Sequence, residues 1–339
     1  MAKTKDRHTD LGLKEEDLLG MYRIMLLARF CDERQWGLNR QGKAPFVVPV
    51  SGHEAAQVGS IWAFEKGKDV FCPYYRDMAL VLAAGFTPAD VFMGLFGKVK
   101  DPSSGGRQMP AHWGSNDRNI ITGSSPIATQ CLHAAGIAYS KKYKKEDAVV
   151  GTWFGEGGTS EGDWHGAMNF AGIHKLPLVF VCENNMYAIS VHESMQVAGR
   201  VYKRAEGYGF PGVEADGNDV LESYRVTKEA VDRARSGEGS SLIELRTYRF
   251  YSHTSDDDDR TYRSRDEVEE WRKKDPIPNF ENYLKSVEVT DDSKITEMRE
   301  QTKQEVADGA KEADAADLPD PADAGKNVWA DVDITQVVS

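Results

Sequence analysis

Cysteine is scarce in this 339-residue chain: Cys31, Cys72, Cys131 and Cys182 stand far apart, with no Cys-x-x-Cys pair. Neither a zinc site nor a disulfide framework is indicated, and Cys182, closing an apolar run, reads as a core thiol. Positive charge is also in deficit. Lys and Arg number 42 against 54 Asp and Glu, a formal net charge of −12. That argues against a nucleic-acid partner, which calls for a basic face. No apolar run is long enough to span a bilayer, so no membrane association is expected. The N-terminus, Met1-Ala2-Lys3-Thr4-Lys5-Asp6-Arg7, lacks the hydrophobic stretch of a signal peptide and carries acid unlike a transit peptide. The expectation is a cytoplasmic protein. No P-loop ending in Gly-Lys-Ser/Thr occurs, and the Rossmann fingerprint is broken, because Gly155-x-Gly157 is followed by Ser160 where the third glycine belongs. A nicotinamide-binding dehydrogenase is disfavoured on that ground. There is no internal repeat. The 40% hydrophobic content supports a real core, in one large α/β domain with extensions or in two small ones.

The most informative stretch lies between residues 148 and 185. Ala148 to Phe154 is a short apolar run ending at glycine. Ser160 to Lys175 reads as a helix with Trp164, Met168, Phe170 and Ile173 on one side. Pro177 to Cys182 is a second apolar run, too short for a helix. Strand, helix and strand of these lengths make a βαβ unit, whose crossover is right-handed, so both strands point the same way. Ligands of open α/β sheets bind beyond the carboxyl ends of the strands. Glu156, within Gly155-Glu156-Gly157-Gly158, follows one such end, and Asn185, within Asn184-Asn185, follows the next. A glycine cluster alone is most often a tight turn, and Asn-Asn alone a loop; their joint placement points to a site. Mg²⁺ prefers octahedral oxygen coordination and keeps phosphate and water ligands. One carboxylate, one amide oxygen and one nearby backbone carbonyl leave room for two diphosphate oxygens and a water.

Elsewhere, residues 1–12 look flexible, and Leu13 to Arg40 reads as one or two helices, with Leu18, Tyr22, Met25, Leu26 and Phe30 at helical spacing. A helix to Phe64 follows Gly52-His53-Glu54. Asp69 to Tyr75 passes from strand to loop at Tyr75-Arg76, and Met78 to Phe96 is helical. Residues 98–124 form a glycine-containing loop long enough to be read as functional. Ser124-Ser125-Pro126 has the form of a helix N-terminus, a serine cap with proline in the first turn. That is a second place for an anion, on a helix running to about Tyr143. A strand (Gly212 to Ala215), a helix (Asp219 to Ser236) and a strand (Ser241 to Phe250) come next. After the loop 251–260, Glu267 to Lys273 and Lys294 to Asp314 are helical, and 315–327 is Ala/Asp/Pro-rich and extended. The expectation is an α/β fold: an open, mainly parallel sheet flanked by helices, in one domain over 13–315. N-terminal helices, a C-terminal helical extension and an extended tail at 316–339 complete it.

Several motifs then fall in one order: Gly106-Arg107-Gln108-Met109-Pro110-x-His112, Ser124 to Gln130, Gly155 to Asp163, Asn184 to Ser190, and His253 to Ser264. In that order they resemble the alpha subunit of the thiamine-diphosphate-dependent first component of 2-oxo acid dehydrogenase complexes. The resemblance covers residues 15 to 332. It implies the thiamine-diphosphate-binding fold, with Mg²⁺ on Glu156, Asn185 and the backbone oxygen of Tyr187. It implies diphosphate contacts from Tyr75 and Arg76, the latter able to grip phosphate bidentately. Gly155, Gly157 and Gly158 would let the backbone approach the cofactor, and Ser125 and Ile127 would contact the thiamine ring region. Ser124, Pro126, Thr129 and Gln130 match a site that holds a structural potassium ion (K⁺) in some members. His253 matches the loop histidine near diphosphate and substrate, and with His112 would order substrate or transfer protons. Thr254 occupies the position of a regulatory phosphoserine in animal relatives. A phosphate there would be repelled by diphosphate and by the aspartates at 256–259, a run whose middle members read as a solvated turn. Two positions depart from the common pattern. Glu156 stands where Asp is commoner in thiamine enzymes, although the branched-chain group also uses Glu. Glu183 stands where animal branched-chain enzymes carry an arginine that helps bind diphosphate and where pyruvate-type members tolerate Glu, which implies a smaller phosphate contact set.

The implied reaction is decarboxylation of a 2-oxo acid by the cofactor, with the acyl group passed to a lipoyl group on a partner acyltransferase. The family needs a second cofactor domain, and only one fits in 339 residues. A beta subunit in an α₂β₂ heterotetramer is therefore expected. Gly-Arg-Gln-Met-Pro-x-His, and Thr254 to Asp257 with Tyr262-Arg263-Ser264, resemble the branched-chain members. Pyruvate and acetoin dehydrogenases are the alternatives. A non-catalytic assembly subunit would have lost Glu156, Asn185 or His253, and all three are present.

Overall fold

A computed structural model describes residues 7–326. In chain order it has α1 (Arg7–Asp10), α2 (Glu15–Arg40), α3 (Glu54–Trp62), β1 (Val70–Cys72), α4 (Met78–Ala83), α5 (Pro88–Leu95) and α6 (Thr129–Lys144). Then come β2 (Val150–Gly155), α7 (Gly162–His174), β3 (Leu178–Asn184), the short β4 (Tyr187–Ala188) and β5 (Val191–His192), and β6 (Gly212–Asp216). The chain continues through α8 (Val220–Arg235), β7 (Ser241–Arg246), α9 (Arg265–Arg272), α10 (Pro276–Ser286) and α11 (Asp292–Ala315). Strands β1-β2-β3-β7-β6 form one sheet with every neighbouring pair parallel, while β4 and β5 form a separate antiparallel hairpin. This is the expected open parallel sheet.

The sheet is buried on both faces, as a parallel sheet requires. Along β3, Val179 and Val181 enter the core made with α2, α3 and α8. Leu178, Phe180 and Cys182 enter the core made with α6 and α7. Successive side chains point to opposite faces, so one continuous apolar run serves two cores. Cys182 is buried, as read.

Five elements differ from the sequence reading. On α7 the buried residues are Trp164, Ala167, Met168 and Ala171, while Ile173 is 68% exposed and Phe170 37%. The buried set has i, i+3, i+4, i+7 spacing and includes two alanines, on a helix that packs beside α6; selecting the bulkiest side chains picked the wrong stripe. The stretch Met78 to Phe96 is two helices. Thr87 and Asp90 form a capping box with Pro88 at the first position of α5, so the chain restarts there. α6 begins only at Thr129, after Ala128 in the left-handed region (φ 68°). Ser124 Oγ donates to the Pro126 carbonyl at 3.0 Å, so Ser124-Ser125-Pro126 is an irregular approach and not a helix cap. β7 stops at Arg246, and residues 247–250 leave the sheet, with Phe250 N–H bonded to Ser51 O at 3.1 Å. α10 went unread, although Asp275 caps it and Pro276 opens it.

The segment expected to be flexible, 1–12, is described from Arg7 on. There α1 is tied down by an Arg7–Asp219 ion pair of 2.7 Å. Residues 316–326 include one short 3₁₀ turn, Pro321–Gly325. The rest of the expected extended tail lies outside the described residues.

The face assignment of α7 gives the first prediction. Met168→Ala lowers the unfolding free energy of the chain by about 2–5 kcal/mol. Ile173→Ala changes it by less than about 0.5 kcal/mol. Urea denaturation followed by circular dichroism checks both, and a larger loss from Ile173→Ala would contradict the packing described.

Candidate active site

The β2–β3 register pairs Gly155 with Glu183, so the two strands end together and the chain leaves both at the same height. Glu156 and Asn185 meet there. Asn185 N–H donates to Glu156 Oε2 at 3.2 Å, and Gln196 Nε2 donates to Oε1 at 3.2 Å. Asn185 Oδ1 accepts from Tyr187 N–H at 3.1 Å, across Met186 in the left-handed region (φ 73°). Glu156 is 1% exposed, and burial pushes its carboxyl up to about 7. A buried carboxylate that backbone and amide N–H groups only partly satisfy is a fitting place for a cation. No cluster of three or more His, Cys, Asp or Glu side chains suited to a metal occurs among the described residues. The oxygen donors on offer here are one carboxylate, one amide and main-chain carbonyls, which suits Mg²⁺ better than a softer metal.

These groups line a cleft of ≈ 170 Å³ beyond the strand ends. From the β1 end come Tyr75 and Arg76; from the approach to α6, Ser124, Ser125, Ile127 and Gln130. Gly155, Gly157 and Gly158 form its floor beside Glu156, and Asn185, Tyr187 and His253 close it. Every residue that the resemblance assigned to the cofactor is thus brought to one cleft. At Gly157 an added Cβ would lie 2.7 Å from the Ala188 Cβ, so the hairpin β4–β5 itself requires glycine there. Gly155 faces open space.

Positive charge gathers opposite, with Arg76 in the lining and Arg249 behind His253. Arg76 is 1% exposed and Arg249 is fully buried, and neither has a carboxylate within ion-pair distance among the described residues. Arg76 Nη1 donates to Pro49 O at 2.6 Å, while its Nε has no partner. Arg249 donates to the carbonyls of Tyr251 (3.2 Å) and Ile189 (2.9 Å) and to the Tyr262 hydroxyl (3.0 Å). Burial, with Arg76 as neighbour, brings the Arg249 guanidinium down to about 10. Such a pair awaits an anion, and a diphosphate fits it.

His253 lies between the two arginines. Its Nδ1 is 3.2 Å from Arg76 Nη2 and 3.4 Å from Arg249 Nη1. Guanidinium groups only donate, so Nδ1 is the acceptor and Nε2 carries the proton. Burial and the two charges push the ring down to about 3. The loop is held by Asp257, whose Oδ2 accepts from His253 N–H at 2.7 Å and from the Tyr262 hydroxyl at 2.5 Å. Asp259 pairs with Arg263 and Arg265, each at 2.6 Å. Asp257 is therefore no solvated turn residue, contrary to the reading of the aspartate run.

His112 lies one bond outside the cleft lining. Its Nδ1 faces the carbonyls of Met109 and Pro110 (3.1 and 3.2 Å) and carries the proton. Its Nε2 accepts from Ser125 Oγ at 2.7 Å. Of the potassium-type set, Ser124 and Gln130 line the cleft, and Pro126 and Thr129 do not. Thr129 Oγ1 donates to Asp163 at 3.0 Å and Gln130 Nε2 to Trp153 O at 3.0 Å. Glu183 does not reach the cleft lining. Its Oε2 accepts from His53 Nδ1 (2.7 Å), Gln57 Nε2 (3.0 Å) and the Tyr74 hydroxyl (3.1 Å).

The sequence reading missed Arg249 and Gln196. Arg249 was placed inside a strand, and its one signal is a spacing of four residues before His253. Gln196 had no signal, because its partner Glu156 is forty residues away.

Against this geometry stand the comparisons with known proteins. A family model described as dehydrogenase E1 component matches residues 22–322. The chain is 49% identical over 326 residues to the 2-oxoisovalerate dehydrogenase subunit alpha of Bacillus subtilis (strain 168), covering 96% of this chain and 99% of the relative. It is 39% identical over 304 residues to the pyruvate dehydrogenase E1 component subunit alpha of Staphylococcus aureus (strain Mu50 / ATCC 700699), covering 89% and 79%. It is 38% identical over 316 residues to the mitochondrial 2-oxoisovalerate dehydrogenase subunit alpha of Mus musculus, covering 92% and 71%. The chain belongs to the dehydrogenase E1 component family. Membership implies thiamine diphosphate as cofactor. No helix among the described residues is long and apolar enough to cross a membrane.

The charge environment of His253 is directly checkable. With a folded value near 3 against an ordinary one near 6.5, the folded ring stays neutral between pH 8 and about 5 while the unfolded chain takes up a proton. The group therefore costs stability only as pH falls below about 6.5. Nitrogen chemical shifts of labelled histidine are expected to hold His253 in the Nε2–H form across that range. A ring that protonates near pH 6.5 would contradict the two-arginine geometry.

Proposed function

We propose that this chain is the alpha subunit of a thiamine-diphosphate-dependent 2-oxo acid dehydrogenase acting on branched-chain 2-oxo acids. The observation that carries the reading is the meeting, in one cleft, of an oxygen-donor corner at Glu156 and Asn185 with the Arg76 guanidinium and His253, and with Arg249 held against His253 behind the lining. A cation half-site facing an anion half-site suits a metal-bound diphosphate.

The cofactor supplies the electron sink for loss of CO₂ from the 2-oxo acid. The chain's own groups anchor it. Glu156, Asn185 and the carbonyl of Tyr187 offer the Mg²⁺ ligands, Tyr75 and Arg76 the phosphate contacts, and Arg249 a second positive charge behind His253. Ile127 and Ser125 form the wall on the α6 side. His253 presents Nε2–H as a hydrogen-bond donor and, being neutral, is no source of charge. His112 holds the Ser125 hydroxyl through its Nε2. Ser124, Pro126, Thr129 and Gln130 would hold K⁺.

A cleft of ≈ 170 Å³ is smaller than a whole site for a molecule of this size. This supports a site completed by a beta subunit in an α₂β₂ heterotetramer, with the acyl group passed to a lipoyl-bearing acyltransferase. For the substrate, the higher identity to the B. subtilis 2-oxoisovalerate relative than to the S. aureus pyruvate relative favours the branched acid.

The test is dye-coupled decarboxylation by the chain assembled with its beta partner, with thiamine diphosphate and Mg²⁺. Expected is a kcat/KM for 3-methyl-2-oxobutanoate at least about tenfold above that for pyruvate or acetoin, a difference of ~1.4 kcal/mol. Arg249→Ala raises the cofactor Kd roughly 30-fold or more, as expected when a buried charge loses its partner at a cost of about 2 kcal/mol, and Glu156→Ala abolishes turnover. Pyruvate preference would move the substrate and keep the chemistry. An assembly that binds no thiamine diphosphate and turns over none of the three compounds would be a non-catalytic subunit.

A further inference from the structure

The turn that follows β3 carries two residues in the left-handed region, Met186 (φ 73°) and Ile189 (φ 52°). A non-glycine residue there costs about 1–3 kcal/mol and persists only where its surroundings over-determine it. Met186 stands between Asn185 and Tyr187, so the strain lies where the turn aims the amide oxygen of one and the carbonyl of the other. The hairpin itself is two residue pairs, Tyr187 with His192 and Ala188 with Val191. A ribbon that short does not hold its own shape in water.

A knot of side chains at the hairpin base does hold it. Arg246, the last residue of β7, sits opposite Asn184, the last residue of β3. Its guanidinium grips Glu193 through two bonds, Nη1 to Oε2 at 2.5 Å and Nη2 to Oε1 at 2.7 Å. Bidentate pairs of this kind fix orientation as well as distance. Glu193 Oε2 also accepts from Asn184 Nδ2 at 2.9 Å, and Glu193 N–H donates to Met186 O at 2.8 Å. Asn184 completes the knot: Nδ2 reaches Glu244 Oε1 at 2.7 Å, and Oδ1 accepts from Met186 N–H at 3.0 Å. The chain thus leaves the sheet at Asn184 and is pinned back to it nine residues later. Just past the pin, Gln196 N–H bonds Glu193 O at 3.1 Å, and its side-chain amide reaches Glu156 Oε1 at 3.2 Å. One ion pair therefore governs both sides of the oxygen-donor corner.

We propose that the Glu193–Arg246 pair is a latch that presets the metal-side turn, making both residues positioning residues for Asn185, Tyr187 and, through Gln196, Glu156. The inference rests on the function proposed above. Neither residue lines the cleft, so neither touches the cofactor directly. The latch acts by holding the strained turn in place before a metal arrives, so that no binding energy is spent on ordering it.

The experiment uses the chain assembled with its beta partner. Calorimetry follows thiamine diphosphate binding at increasing Mg²⁺ for the wild type, Glu193→Ala, Arg246→Met and the double variant. Each single variant is expected to raise the Mg²⁺ concentration for half-maximal cofactor binding about tenfold or more, the usual effect of removing a group that orients a metal ligand. The double variant matches the worse single, because the latch fails as a unit, and excess Mg²⁺ restores binding. Should the alanine or methionine variants not fold, Glu193→Gln and Arg246→Lys keep part of the contact and are expected to give a smaller shift in the same direction. Midpoints within about twofold of wild type, or single effects that multiply in the double variant, would overturn the latch. A lowered melting temperature with an unmoved Mg²⁺ midpoint would make the pair merely structural and also overturn it. A wild type that binds no cofactor at any Mg²⁺ concentration would instead overturn the proposed function.

Discussion

Two buried guanidinium groups aimed at one imidazole set the terms for this site. Moving a charge out of water costs several kcal/mol even after relaxation, and neither Arg76 nor Arg249 has a carboxylate within ion-pair distance among the described residues. Both recover part of it from main-chain carbonyls: Pro49 for Arg76, and Tyr251 and Ile189 for Arg249. Those carbonyls belong to the segment before α3, the loop after β7 and the hairpin after β3. The arginines therefore draw three distant segments together around the cleft while keeping donors free for an anion. The neutrality of His253 follows from the same arrangement, since a third positive charge between the two would be the costliest in the region.

The cation side is governed by the sheet. Parallel strands in register end together, and β2 and β3 deliver Glu156 and Asn185 to one point by topology alone. Backbone geometry then aims them. The carboxylate is held by an Asn185 N–H and a Gln196 amide, the Asn185 oxygen by Tyr187 N–H, and the carbonyls by a turn through Met186. Buried oxygens oriented by N–H donors on one wall, and on the other the Arg76 guanidinium, whose Nε lacks an acceptor, are complementary through a third body that is both cationic and anionic. A metal bound to diphosphate is such a body.

The legibility of the sequence tracks the range of the interactions. Strands β2 and β3 were readable because each is a continuous apolar run serving two cores. Glu156 and Asn185 were readable because position at a strand end is nearly a one-dimensional property. Where the outcome depends on how tightly two elements approach, the reading failed. On α7 the contact stripe holds Ala167 and Ala171, and the larger Phe170 and Ile173 face outward. At Ser124-Ser125-Pro126 the local capping signal lost to a left-handed Ala128 and to a Ser125 hydroxyl committed to His112. Gln196 acts through Glu156, forty residues away, which no local pattern reveals, whereas Arg249 and Asp257 find His253 four residues along an irregular loop that has no period to read. The break at Thr87-Pro88-Ala89-Asp90 and the start of α10 at Asp275-Pro276 were local signals and could have been read.

Glu183 shows how far the carried-over family pattern reaches. The resemblance places at this position an arginine that helps bind diphosphate in animal branched-chain members, so an acid there threatened the phosphate site with the wrong charge. The threat does not materialise, because the carboxylate turns to His53, Gln57 and the Tyr74 hydroxyl and so ties α3 to the end of β1. Gln57 in turn donates to the Arg76 carbonyl at 3.1 Å and accepts from Ala79 N–H at 3.0 Å. The acid thus anchors the turn that presents Arg76, and the cleft keeps its positive balance through Arg76 and Arg249. A smaller set of phosphate contacts is consistent with diphosphate binding here because the positive charge that remains is deeply buried, and electrostatic attraction strengthens as the surroundings become less polar.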